Sequence, residues 1–66
     1  MHNENLTFVS DTKAAEILGL KAQTLRNWRY LGRGPVYHKI GGRAVRYAIK
    51  DLEQFKEKHR IDPEAV

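Results

Sequence analysis

A chain of 66 residues without a single cysteine has few ways to stay folded. It buries only about 60% of the surface that it exposes when unfolded. Neither a disulfide framework nor a thiolate zinc site can supplement that burial, so a thin apolar core must hold the fold and each large apolar residue counts. Hydrophobic residues make up 41% of the chain and charged ones 30%, the balance of a soluble globular domain. No apolar run approaches the roughly 20 residues of a membrane span, so no membrane partner is expected. Met1 to Thr7 lacks the basic and apolar regions of a signal peptide. The expectation is one cytoplasmic domain over residues 1–66, with 1–7 as a flexible arm and 61–66 as a loose tail.

Charge is segregated along the chain. Between Glu16 and Asp51 there is no acidic residue, yet that stretch holds Lys21, Arg26, Arg29, Arg33, Lys39, Arg43, Arg46 and Lys50, eight of the twelve basic residues. The remaining four basic residues face all eight acidic ones. Self-repulsion disfavours such a block unless a polyanion relieves it, and nucleic acid is the usual polyanion. The alternative is a solvated basic face with no partner.

The elements follow from pattern and punctuation. Phe8 and Val9 end the arm and are expected to fold onto the core. Ser10-Asp11-Thr12 offers N-cap oxygens before a short first helix whose apolar face is Ala14, Ala15, Ile17 and Leu18, and Gly19 ends it. A second helix is predicted from about Ala22 to Leu31, with Leu25, Trp28 and Leu31 as its buried stripe. Gln23, Arg26, Asn27 and Tyr30 occupy the opposite stripe. Gly32-Arg33-Gly34-Pro35 breaks the helix. Val36–Ile40 and Arg43–Tyr47 flank Gly41-Gly42 and predict a hairpin. Its expected core face is Val36, His38, Ile40, Val45 and Tyr47, with Tyr37, Lys39, Ala44 and Arg46 on the other. A third helix is predicted from about Ile49 to His59, with Ile49, Leu52 and Phe55 toward the core.

The predicted fold is mainly α with a small β-hairpin, in the order helix, turn, helix, hairpin, helix, and the basic block lies on the second helix and the hairpin. A helix of about 10–12 Å diameter fits a major groove roughly 12 Å wide. A first helix joined by a short Gly-containing turn braces it, and Ala14 and Ala15 allow close approach. The hairpin then reaches the adjacent minor groove or backbone.

The segments "DTKAAEILGL", "TLRNWRYLGRGP", "HKIGGRAVRY" and "KDLEQF", in that order, resemble excisionase-like and phage-regulator proteins, which share a winged helix-turn-helix fold with mercury-resistance-type regulators. The resemblance covers about residues 8–57. It implies sequence-specific binding of double-stranded DNA, often with bending. In the excisionase branch it also implies steering of a tyrosine integrase toward excision, in the cytoplasm and nucleoid of a bacterial or phage-infected cell. Two positions depart from the pattern: Lys21 stands where members often carry Ser or Thr as the second helix's N-cap, and Phe55 where they often carry tryptophan.

On that fold the expected DNA contacts are Lys21, Gln23, Thr24, Arg26, Asn27, Tyr30, Arg33, Lys39, Arg43 and Arg46. Arg suits guanine edges, and Gln or Asn suits adenine edges, which makes Gln23, Arg26 and Asn27 base or phosphate contacts unless they form a merely solvated face. Tyr30 is divided between a phosphate hydrogen bond and packing at the helix end. Arg43 is a minor-groove or phosphate contact, or else a charge that keeps a strand edge soluble. Lys21, Arg33, Lys39 and Arg46 are expected at phosphates, with ordinary surface charge as the alternative. Trp28 is expected in the core.

His2, His38 and His59 have no paired ligand spacing, so neither metal nor cofactor is expected. Ser10, the sole serine, is assigned to capping, and Glu53 and Glu57 are expected to form a repelling acidic face on the third helix. No catalytic residue is expected. Three functions remain in view: an excisionase, a prophage transcriptional regulator or terminase-type recognition domain, and a protein-interaction module whose basic face meets an acidic protein. A terminase component would continue into a longer assembly region. With no heptad repeat for a coiled coil, self-association is expected only on DNA, head-to-tail and cooperative.

Overall fold

Ser10 starts the first helix as expected. In the computed structural model, which describes residues 7–65, its Oγ accepts a hydrogen bond from the Lys13 N–H at 3.2 Å, and α1 (Asp11–Leu18) follows. The arm expected over residues 1–7 lies, but for Thr7, outside the described residues, as does Val66 of the tail. Helix α1 ends at Gly19, whose φ of 73° turns the chain toward α2 (Ala22–Leu31) within three residues. Lys21 precedes α2 with no side-chain cap, the departure noted from sequence.

Ala14 and Ala15 are buried where α1 meets α2, and α1 also packs against the third helix and the sheet. The core is Ala14, Ala15, Leu25, Tyr47, Ala48 and Leu52, with Val9, Ile17, Leu18, Trp28, Val45 and Ile49 packed around it. Trp28 is half-buried: its ring leans on Phe55 at 5.8 Å between centroids. Gly34 lies against it as well. A Cβ built on Gly34 would stand 3.0 Å from the Trp28 ring, and its φ of 101° is one that other residues rarely adopt.

Leu31 departs from expectation and is 59% exposed. Six residues turn a helix through about 600°, which leaves Leu31 about 120° away from Leu25, whereas four residues bring Arg29 to within about 40°. Arg29, not Leu31, therefore turns inward.

The hairpin also needs correction. Strands β2 (His38–Ile40) and β3 (Ala44–Ala48) pair as His38 with Arg46, Lys39 with Val45 and Ile40 with Ala44. Gly41, Gly42 and Arg43 thus make a three-residue loop, closed by Gly42 N–H to Lys39 and Arg43 N–H to Ile40 carbonyl bonds, both at 3.3 Å. Adding one residue to the loop shifts the register by one, which moves β2 to the opposite face from that predicted. His38 and Ile40 share the outer face with Ala44 and Arg46, while Lys39 shares the inner face with Val45. Tyr37 accordingly meets Tyr47 at 6.1 Å, and Val36 and Ile40 are exposed.

A third strand, β1 (Phe8–Val9), joins β3 antiparallel, so the sheet order is β1-β3-β2 rather than a two-stranded wing alone. Val9 packs on the core, as expected for the end of the arm. Phe8 stays 41% exposed on the outer face, edge-on to His38 at 5.0 Å.

Helix α3 (Ile49–Lys58) starts directly from β3. Ile49 and Leu52 reach the core, but Phe55 instead packs on Trp28 and on His59, at 4.2 Å. The expected repelling acidic face is tempered, because Glu53 pairs with Lys56 at 3.4 Å. Beyond α3, Pro63–Ala65 form a 3-10 turn, preceded by an Arg60 to Asp62 ion pair at 3.6 Å. Helix, tight turn, helix, wing and helix together make a winged helix-turn-helix.

Candidate nucleic-acid interface

Helix α2 turns Leu25 into the core and so presents Gln23, Arg26, Asn27 and Tyr30 to solvent on one face. Gln23 and Asn27, one helical turn apart, join through a 3.0 Å bond from Nε2 to Oδ1. Tyr30 is 91% exposed, which removes packing at the helix end as its role. Thr24 lies off this face and is half-buried beside Leu25. Lys21 and Arg33 stand exposed beyond the two ends of α2, and Arg33 borders an open groove shared with Trp28, Gly34, Phe55 and His59.

The wing adds cations in three directions. Arg43 occupies its tip, and register puts Lys39 and Arg46 on opposite faces. Arg46 also donates from Nη1 to its neighbour's carbonyl, Val45 O, at 2.7 Å. Lys39 and Arg46 therefore leave the wing from opposite faces.

Sequence reasoning missed the residues that tie α2 to the rest of the domain. Arg29 donates from Nη1 to the hydroxyl of fully buried Tyr47 at 2.9 Å, and its guanidinium lies over the Tyr37 ring, 5.6 Å from the centroid. Its helical phase relative to Leu25 was the available signal. Asp11, the first residue of α1, accepts from Arg26 Nε at 3.0 Å and sits 3.7 Å from Arg29 Nη2. Burial alone would raise the Asp11 pKa. The hydrogen bond and charge of Arg26, the charge of Arg29 and the Thr12 backbone N–H outweigh burial and hold this carboxyl below its usual range.

Among the described residues no cluster of three or more His, Cys, Asp or Glu is placed to hold a metal ion, and no helix is long and apolar enough to cross a membrane. Residues 9–60 match the family described as "Helix-turn-helix domain", a span that takes in both helices of the motif, the wing and α3. The chain belongs to that family. Comparison with curated proteins yields no match. As an excisionase-like helix-turn-helix protein it binds DNA, with α2 as the second helix of the motif, the one that enters the major groove in this architecture.

Proposed function

We propose that this helix-turn-helix protein is a sequence-specific reader of double-stranded DNA that serves as an excisionase, bending attachment-site DNA to direct a tyrosine integrase toward excision. Sequence reading rests chiefly on one observation: Gln23, Arg26 and Asn27, the side chains suited to adenine and guanine edges, lie together on the exposed face of α2. Lys21, Tyr30 and Arg33 then take phosphates along α2. Arg43 enters the minor groove or meets the backbone at the wing tip, with Lys39 and Arg46 at phosphates on either side. Thr24, half-buried, is assigned to the edge of the contact. The role is one of binding rather than catalysis, in the bacterial cytoplasm.

The excisionase role draws support from the excisionase-like family and from the limited reach of one copy. A single small module buries about 600–1,000 Å² of its surface on DNA, which limits affinity and site length. Cooperative binding of several copies head-to-tail lengthens the site. Exposed Ile61 with acidic Asp62 and Glu64 offers a surface for a neighbour's basic face. Titration of an attachment-site duplex should show several stepwise, cooperative gel shifts, and a phasing assay should report curvature. Saturation by one monomer with no bend would instead favour the prophage regulator. Indifference of duplex affinity to salt would point to an acidic protein partner, since each phosphate contact carries a salt dependence.

A further inference from the structure

Arg26 is the guanine reader expected on α2, and it is already bound at one end. Its Nε donates to Asp11 Oδ2, while its two terminal nitrogens make no hydrogen bond among the described residues. Bidentate recognition of guanine O6 and N7 uses two parallel N–H groups of one guanidinium, and the terminal pair satisfies this with Nε occupied. An unrestrained surface arginine samples many rotamers and must lose them on binding.

Asp11 is itself anchored. It opens α1 beside the Ser10 cap, where a negative charge suits the helix dipole. Arg29 approaches the same oxygen and is fixed by the hydroxyl of fully buried Tyr47. A continuous chain of polar contacts thus runs from the core through Tyr47, Arg29 and Asp11 to Arg26. As an ion pair this contact adds little stability, because Arg26 is nearly half exposed. Its charge matters more beside DNA. A carboxylate next to the reading face repels phosphates and lowers the attraction of Arg26 to any backbone.

We propose that Asp11 is a specificity-determining residue that holds Arg26 through Nε, leaves its terminal edge ready for a guanine, and weakens its contact with phosphates. This rests on the reading of α2 as the base-contacting helix. The test compares wild type, Asp11→Ala, which removes both the acceptor and the charge, Arg26→Ala and the double variant. Each is titrated by fluorescence anisotropy against a duplex selected from random sequence by the wild type, against its single base-pair variants, and against random duplex, with thermal melting alongside.

Asp11→Ala should bind random duplex at least as tightly as wild type and lose about tenfold of the preference at one G·C pair. Arg26→Ala should lose the preference at the same pair, and adding Asp11→Ala should change it no further. Asp11→Ser, too short to reach Arg26 Nε, gives the same reading should alanine prevent folding. If Arg26→Ala loses the preference while Asp11→Ala keeps it, the proposal for Asp11 fails and the reading of α2 stands. Uniform weakening on every duplex in step with a lower melting temperature makes Asp11 a tie between α1 and α2 only. If Arg26→Ala keeps the preference, the reading of α2 fails and the role of Asp11 with it.

Discussion

Leu25→Ala should leave the chain largely unfolded at ambient temperature, while Arg43→Ala should melt with the wild type and bind DNA more weakly. Leu25 is fully buried on the inner face of α2, among the alanines of α1 and the side chains of Tyr47 and Leu52. Truncating a buried leucine costs about 2–5 kcal/mol. A core in a chain of this size rarely supplies more than about 3–5 kcal/mol in all. One substitution therefore removes most of the stability, and each kcal/mol lowers Tm by about 4–8 °C in a domain this small. Arg43 has no such role, because it lies exposed in the loop at the wing tip. Circular dichroism melts of the two variants, read beside anisotropy titrations of Arg43→Ala, check both halves. Equal losses of stability would mean that the wing tip is part of the packed structure.

The second large effect is on base reading. Gln23→Ala and Arg26→Ala should each weaken binding to the preferred duplex by roughly 1–3 kcal/mol, with relaxed preference at particular base pairs. Neither side chain supports the core, so melting temperatures should stay close to wild type. Gln23 also holds Asn27, so its loss frees a second amide, and the two positions should not behave additively. Uniform weakening on every sequence, with a shallower salt dependence, would demote both to phosphate contacts.

Much of the fold was legible because its punctuation is local. Ser10, Gly19 and the Gly32-to-Pro35 breaker bound α1 and α2 through capping and backbone preferences that need no tertiary information. The exposed face of α2 followed from helical period alone. The wing was harder. Gly41-Gly42 announces a tight turn equally well for loops of two or three residues, and that single residue decides which face β2 shows. Strand β1 is two residues long and exists only because β3 offers an open edge, which no local pattern records. Tyr47 was placed on the core face correctly, but its hydroxyl is satisfied by a charged residue on another element, Arg29. Asp11 reads in sequence only as a helix-opening acid, and its bond to Arg26 crosses fifteen residues.

The most direct test is to titrate the isotopically labelled protein with its preferred duplex and follow backbone amide shifts by NMR. Contact through α2 and the wing predicts the largest changes over residues 21–30 and 39–46, with α3 nearly silent. Perturbations concentrated on α3 and the Pro63–Ala65 turn, with α2 unchanged, would contradict it.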